Sequence, residues 1–283
     1  MRKSLLDRIL DPQQLSVRFQ PIFSIGLGEH QLHSVEALIR GPRGTHFEAA
    51  PILFDYVRRK KEERAVDNSC IAAICAEVAG LPRELRINVN VHAATLGQNP
   101  GFVDSLRRQA YKHSLSLDRF TVEIVEYAPT CDIPELSRTV ASLRKAGMRI
   151  ALDDVGVGQS NYRMMLDCHP EYFKLDAYFV RDLKNDSKRR AVVESVVTFG
   201  KALHSAVVAE AAESIDDITI LGDMGVEFVQ CNLLCPAVTL EELRAKNILG
   251  EPANRFAFAQ SAGVETKSIK DMGHIPSGSA LFV

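Results

Sequence analysis

Carboxylates and carboxamides interrupt the short apolar runs of this 283-residue chain again and again. SVEALI carries Glu36, RINVNV carries Asn90, and FTVEIVE carries Glu123 and Glu126. RIALDD ends on the adjacent pair Asp153 and Asp154, YFKLD holds Lys174 and Asp176, AVVAEA holds Glu210, and FVQC holds Gln230. One acid at the end of one run is usually an ion pair or a helix cap. A polar group in run after run points to a shared centre. So many carboxylates in one place do not stay ionised together without compensation. Divalent cations supply it, and oxygen ligands with an amide carbonyl suit Mg²⁺ or Mn²⁺. Neighbouring residues of a strand face opposite ways, so Asp153 and Asp154 make sense as a pair that straddles metal. Asp153 is then placed to bridge two ions about 3.5–4 Å apart, as in two-metal phosphoryl chemistry. Lys174 adds a positive group able to hold an attacking water or the charge that develops.

The elements that must position these groups alternate in kind. RFQPIF (Arg18 to Phe23) and SVEALI (Ser34 to Ile39) read as strands around the turn-like SIGLGEHQ, an antiparallel hairpin. Pro51 to Val78 reads as helical. RINVNV (Arg86 to Val91), FTVEIVE (Phe120 to Glu126), RIALDD, YFKLD (Tyr172 to Asp176), AVVAEA (Ala206 to Ala211) and FVQCNLL (Phe228 to Leu234) follow as strands. Candidate helices, such as Asp132 to Ala146 and Ser187 to His204, separate them. Strands alternating with helices imply a mostly parallel sheet covered by helices. The expected fold is therefore α/β, a TIM-like (β/α)8 barrel with an antiparallel first strand, whose C-terminal strand ends converge on one mouth. The barrel is expected over residues 16–247, after an N-terminal segment 1–15. A tail over 248–283, rich in Gly, Pro and Ser, is expected to be irregular or packed on the barrel.

Composition narrows the function classes. The formal net charge of −2 gives no basic face for a nucleic-acid polymer. MRKSLLDRILDPQQ has no apolar core of a signal peptide, and no stretch approaches the roughly 20 apolar residues of a membrane span. A cytoplasmic location without membrane insertion is expected. Six scattered cysteines fit reduced, mostly buried thiols there. Cys231 and Cys235 lack the second pair that a zinc site needs. The mixed-sign runs RRKKEER and KNDSKRR read as solvated helix faces.

Taken in order, VEALIRGP, INVNV, VEIVE, LDDVGVG, KLD, AEAAE and the glutamine of QCNLL resemble the EAL-domain phosphodiesterases that cleave cyclic di-GMP. The resemblance runs from Phe19 to Pro236. It implies a TIM-like barrel in which Glu36, Asn90, Glu123 and Asp153 hold one metal. Asp153, Asp154 and Glu210 serve the second, Lys174 and Gln230 position the nucleophilic water, and Glu210 is also a candidate base. Glu126 braces the loop after Asp154, and Glu213 supports the metal site from behind. Gln20, Leu38 and Arg40 match positions that contact the dinucleotide. The implied cofactors are two Mg²⁺ or Mn²⁺ ions, with Ca²⁺ inhibitory because of its larger, looser coordination. The implied partners are cyclic di-GMP, a second copy in a homodimer, and an unidentified regulatory protein.

Three stretches depart from the family pattern. VGVGQSN replaces Phe-Gly-Thr-Gly-Tyr-Ser-Ser in the loop that couples dimerisation to metal binding, AEAAE puts Ala211 where glycine is common, and QCNLLCP puts Cys231 where glycine is common. A side chain at 231 is expected to narrow the pocket or to force the loop onto another path. Two functions remain open: hydrolysis of cyclic di-GMP to linear pGpG, or a catalytically weak or inactive domain that acts as a dinucleotide receptor or protein-interaction module.

Overall fold

A computed structural model describes residues 4–26, 29–125, 132–157 and 162–249. Eight strands close a barrel in chain order. Strands β1 (Ser16–Gly26) and β2 (Glu29–Arg40) pair antiparallel from Ser16 opposite Arg40 to Gly26 opposite Glu29, with an irregularity at Ile22 and Phe23. The strands β3 (Arg86–His92), β4 (Phe120–Val125), β5 (Arg149–Val155), β6 (Tyr172–Leu175), β7 (Ala206–Glu210) and β8 (Phe228–Gln230) follow in parallel. β8 returns to β1 antiparallel, with Phe23 opposite Val229 and Ser24 opposite Phe228. The fold expected from the sequence is the fold observed.

The expected elements differ in extent. The hairpin strands are longer than their apolar cores, because two antiparallel strands joined by a short turn keep pairing beyond the barrel wall. β8 stops at Gln230, because the chain then turns so that the Cys235 amide donates to the Cys231 carbonyl at 3.1 Å. Val238 takes up the pairing instead and exchanges both backbone hydrogen bonds with Phe19, at 2.7 and 3.0 Å. The helical stretch Pro51 to Val78 is two helices, Ala50–Lys60 and Glu63–Val78. Leu53 and Val57 anchor the first, and Val66, Cys70, Ile74 and Val78 are among the residues that anchor the second. The charged run between them offers nothing to bury, and the first helix ends on Lys61 in the left-handed conformation.

Alternation along the strands separates two environments. Val35 and Ala37, Val89 and Val91, Val122 and Ile124, Ile150 and Leu152, and Phe173 and Leu175 lie in the apolar core around the barrel. The opposite rows point inward and are polar: Ser34 and Glu36, Asn88 and Asn90, Thr121 and Glu123. The N-terminal segment joins the same body, since Ile9 is fully buried and the Leu10 carbonyl accepts from Ser69 Oγ at 2.9 Å. Among the described residues no helix is long and apolar enough to cross a membrane. The tail from 250 onward lies outside the described residues.

Just past the mouth end of β2, Gly41 packs directly against backbone. A Cβ placed there would lie 2.1 Å from the Phe47 carbonyl oxygen, which has no rotamer by which to yield. Gly41→Ala is therefore expected to destabilise the protein by about 2 kcal/mol, as overpacking commonly does. A chemical-denaturation curve checks this, and an unchanged midpoint would mean that the segment 42–48 is free to shift.

Candidate metal centre at the barrel mouth

Register brings the polar positions together. Gln20 lies opposite Glu36, Asn90 beside Glu123, and Glu210 beside Gln230. All of these belong to inward rows, so the groups meet near the axis at the C-terminal strand ends. At the centre sits the Lys174 ammonium, 1% exposed. Its Nζ lies 2.7 Å from Glu123, 2.7 Å from Glu210, 3.2 Å from Asp153 and 3.3 Å from Glu36.

The amides hold the carboxylates from the other side. Asn90 Nδ2 donates to Glu36 Oε1 and Gln230 Nε2 to Glu36 Oε2, both at 2.6 Å. Asn88 Nδ2 donates to Glu123 Oε1 at 2.6 Å. Gln20 Oε1 accepts from Gln230 at 3.2 Å, while its own amide donates to Asn232 Oδ1 at 3.2 Å. Asn88 and Asn232 are the members that sequence reasoning missed. Asn88 carried a signal, because it stands two residues before Asn90 on the same face of an otherwise apolar strand.

Four carboxylates around one ammonium leave an excess of negative charge, and it is relieved unevenly. Burial pushes Glu210 up to about 8, against the opposing pull of Lys174. Burial and the neighbouring Glu36 push Glu123 well above the carboxylate range. For Glu36 burial acts upward too, but Lys174 and the donors Gln230 and Asn90 outweigh it and hold the group low. Lys174, which burial alone would neutralise, is kept charged by its four acids.

The donor set fits hard cations. One carboxylate oxygen from each of Asp153, Asp154 and Glu210 lies within 4.8 Å of the others. The amide oxygens of Asn88, Asn90 and Gln230 are buried without a hydrogen-bond partner, because their NH₂ groups are spent on Glu36 and Glu123. A buried acceptor left unpaired beside carboxylates is costly, and a cation removes that cost.

Backbone strain marks the ends of two strands. Asp154 has φ 52° and Ala211 has φ 53°, both left-handed. Aspartate tolerates that region, whereas alanine there costs about 1 kcal/mol. Ala211 thus keeps the conformation that glycine would take freely, and its amide donates to the Gln230 carbonyl at 2.7 Å. Cys231 is different. It is buried in the apolar core and is not among the positive-φ residues, so no left-handed turn is asked of it.

The remaining positions divide. Leu38 and Arg40 continue β2 beyond Glu36, and Arg40 with Arg18, Arg43 and Ser16 lines a recess of about 550 Å³ at the rim. Glu213 is exposed and pairs with Arg181 Nε at 3.1 Å, outside the cluster around Lys174. Asp176 caps the helix after β6 by accepting from the Tyr178 amide at 2.8 Å. Glu126 and the loop residues 158–161 lie outside the described residues.

The raised Glu210 gives the centre a proton to lose. A carboxyl titrating near 8 is mostly protonated at pH 7 and must ionise to take a cation. Mg²⁺ or Mn²⁺ binding at pH 7 is therefore expected to release about one proton or more, with affinity rising between pH 6 and 8 and release fading above pH 9. Calorimetry in buffers of different protonation enthalpy measures this. Release that does not fade at high pH would place the proton on another group.

The EAL domain family model matches residues 2–237. Cyclic di-GMP phosphodiesterase NbdA of Pseudomonas aeruginosa is 26% identical over 260 residues, which cover 88% of this chain and 33% of NbdA. The bifunctional diguanylate cyclase/cyclic di-GMP phosphodiesterase MucR of the same species is 27% identical over 246 residues, 85% of this chain and 35% of MucR. The chain thus spans about a third of the length of these relatives. Among solved structures, a manganese/cy-diGMP complex of BlrP1 from Klebsiella pneumoniae superposes with a TM-score of 0.71 at 27% identity, over 80% of this chain and 56% of that one. A barrel with these strand-end groups, matched by the family model across 2–237, belongs to the EAL domain family.

Proposed function

We propose that this chain is a metal-dependent phosphodiesterase that opens cyclic di-GMP to linear pGpG. The observation that carries the reading is the convergence of Glu36, Glu123, Asp153 and Glu210 on Lys174, beside amide oxygens that have no partner. The names of NbdA and MucR, and the manganese/cy-diGMP complex of BlrP1, support the substrate and the metal class.

In this reading Glu36, Asn90, Glu123 and Asp153 hold one ion, and Asp153, Asp154 and Glu210 the other. Two Mg²⁺ or Mn²⁺ ions would supply Lewis acidity toward a phosphoryl oxygen and a water acidified for attack. The protein does the rest. Glu210, whose carboxyl burial pushes up to about 8, takes the proton from the attacking water. Lys174 and Gln230 orient that water, and Lys174 faces the charge that develops on phosphorus-bound oxygen. Gln20, Leu38 and Arg40 seat the dinucleotide along β1 and β2, where the arginines of the rim recess suit its phosphates.

Incubation with cyclic di-GMP and Mg²⁺ or Mn²⁺, followed by chromatography, is expected to give pGpG. EDTA should abolish the product, either ion should restore it, and Ca²⁺ should replace them poorly. Turnover that survives chelation would end the two-metal proposal. Binding without product would assign the chain as a receptor.

Asp153→Asn removes the bridging charge yet keeps the shape. Turnover should fall on the order of a hundredfold or more, as loss of several kcal/mol of charge stabilisation requires. The metal-free protein should melt at a higher temperature, because one repelling carboxylate is gone. A lower melting temperature would make Asp153 a structural partner of Lys174 rather than a ligand.

A further inference from the structure

We infer that the end of the barrel opposite the mouth carries a binding site for a phosphate-bearing small molecule, built on Arg86 and Arg149. Each of these residues begins an inward row whose other end reaches the metal centre. Arg86 precedes Asn88 and Asn90 on β3, and Arg149 precedes Ala151 and Asp153 on β5. Tyr172 likewise precedes Lys174 on β6. The polar axis that finishes on carboxylates at the mouth therefore starts on guanidinium groups at the floor. These open into a recess of about 390 Å³, large enough for a phosphorylated metabolite and too small for a folded partner.

The arginines are unspent. Elsewhere the chain consumes such groups: Arg144 pairs with Glu171 at 2.9 Å, and Arg119 donates to the carbonyls of Leu85 and Pro82 at 3.1 and 2.7 Å. Arg86 has only a long contact of 3.4 Å to Tyr172 Oη. Among the described residues no carboxylate lies within 4.0 Å of Arg83, Arg86 or Arg149. Glu84 and Asp118 also line the recess, but on its exposed edge and out of ion-pair range. Partly buried guanidinium groups without counter-charges leave the recess electropositive, and their planar donor forks match phosphate oxygens in pairs. The hydroxyls of Ser114 and Ser116 add neutral donors at the edge.

The floor reports the same field. His33 Nε2 lies 3.1 Å from Tyr172 Oη and its ring packs on Phe228 at 4.1 Å between centroids. Burial, then Arg86 and Arg149, hold it neutral down to about 4. An anion seated on the two arginines would cancel part of that field.

Inorganic pyrophosphate serves as the probe, at low ionic strength and with EDTA present so that the mouth holds no metal. Calorimetry should give saturable binding. Arg149→Gln removes a side chain that makes no ion pair and should weaken binding about tenfold, the usual worth of one charge-assisted contact. Arg86→Lys keeps charge but loses the fork and should weaken it as well. Arg59→Gln, whose guanidinium pairs with Asp55 on an exposed helix face, should leave it unchanged. In wild-type protein the anion should also move the His33 ring titration, followed by NMR, upward from about 4. The inference is overturned if no saturable binding occurs, if Arg149→Gln binds as well as wild type, or if Arg59→Gln is the variant that loses the anion.

Discussion

A single buried ammonium holds the barrel mouth in order. Lys174 is shared by four carboxylates from four different strands, and each contact is short enough to be a hydrogen-bonded ion pair. Such a group is costly to bury and more costly to remove, because its departure would leave like charges facing each other in a low-dielectric space. Burial pushes Glu123 and Glu210 up, while Lys174 and the donors Gln230 and Asn90 hold Glu36 low. The amides of Asn88, Asn90 and Gln230 complement this arrangement. Their NH₂ groups fix the acids, which leaves their carbonyl oxygens as unspent ligand capacity.

The same demand explains the backbone at the rim. A strand that ends on Asp153 and Asp154 aims one acid inward and the next away. The left-handed turn at Asp154 redirects the second, so that its carboxylate meets those of Asp153 and Glu210. Ala211 makes the equivalent turn after Glu210 with a residue poorly suited to it. Retention of that conformation despite the methyl group indicates that the position is dictated by its neighbours, as strain at ligand sites commonly is. Cys231 carries no such demand and simply joins the core.

Much of this was legible before the fold was known, because period-two alternation shows a polar residue inside a barrel as an interruption of an apolar run. Glu36, Asn90, Glu123, Asp153, Lys174, Glu210 and Gln230 all stood out in that way, and the strand–helix alternation implied the closed sheet. What escaped depended on the partner each group takes in the fold. Asp176 reads as another strand-end acid, yet a helix begins at the next residue and the Tyr178 amide claims its carboxylate. Glu213 matched a family position, but Arg181 is its partner here. The break at Lys61 could not be read from a charged run that suits a helix face equally well. Arg86 and Arg149 keep the same period-two alternation, but only the superposition of rows from different strands places them on one floor.

Closure of the barrel rests on very little backbone. β8 contributes three residues, two of which pair with β1, and the seam is finished by the exchange between Phe19 and Val238. The hydrogen bond from Gln230 to Glu36 spans 194 positions of sequence and forms only when that seam does. Such distant pairings are slow to find during folding. Until the last strand arrives, β1 is an open edge of eleven residues with free amides and carbonyls along one side. An edge of that length is a template for pairing with another chain, and the passage from nascent hairpin to sealed barrel is therefore where this molecule is most exposed to aggregation.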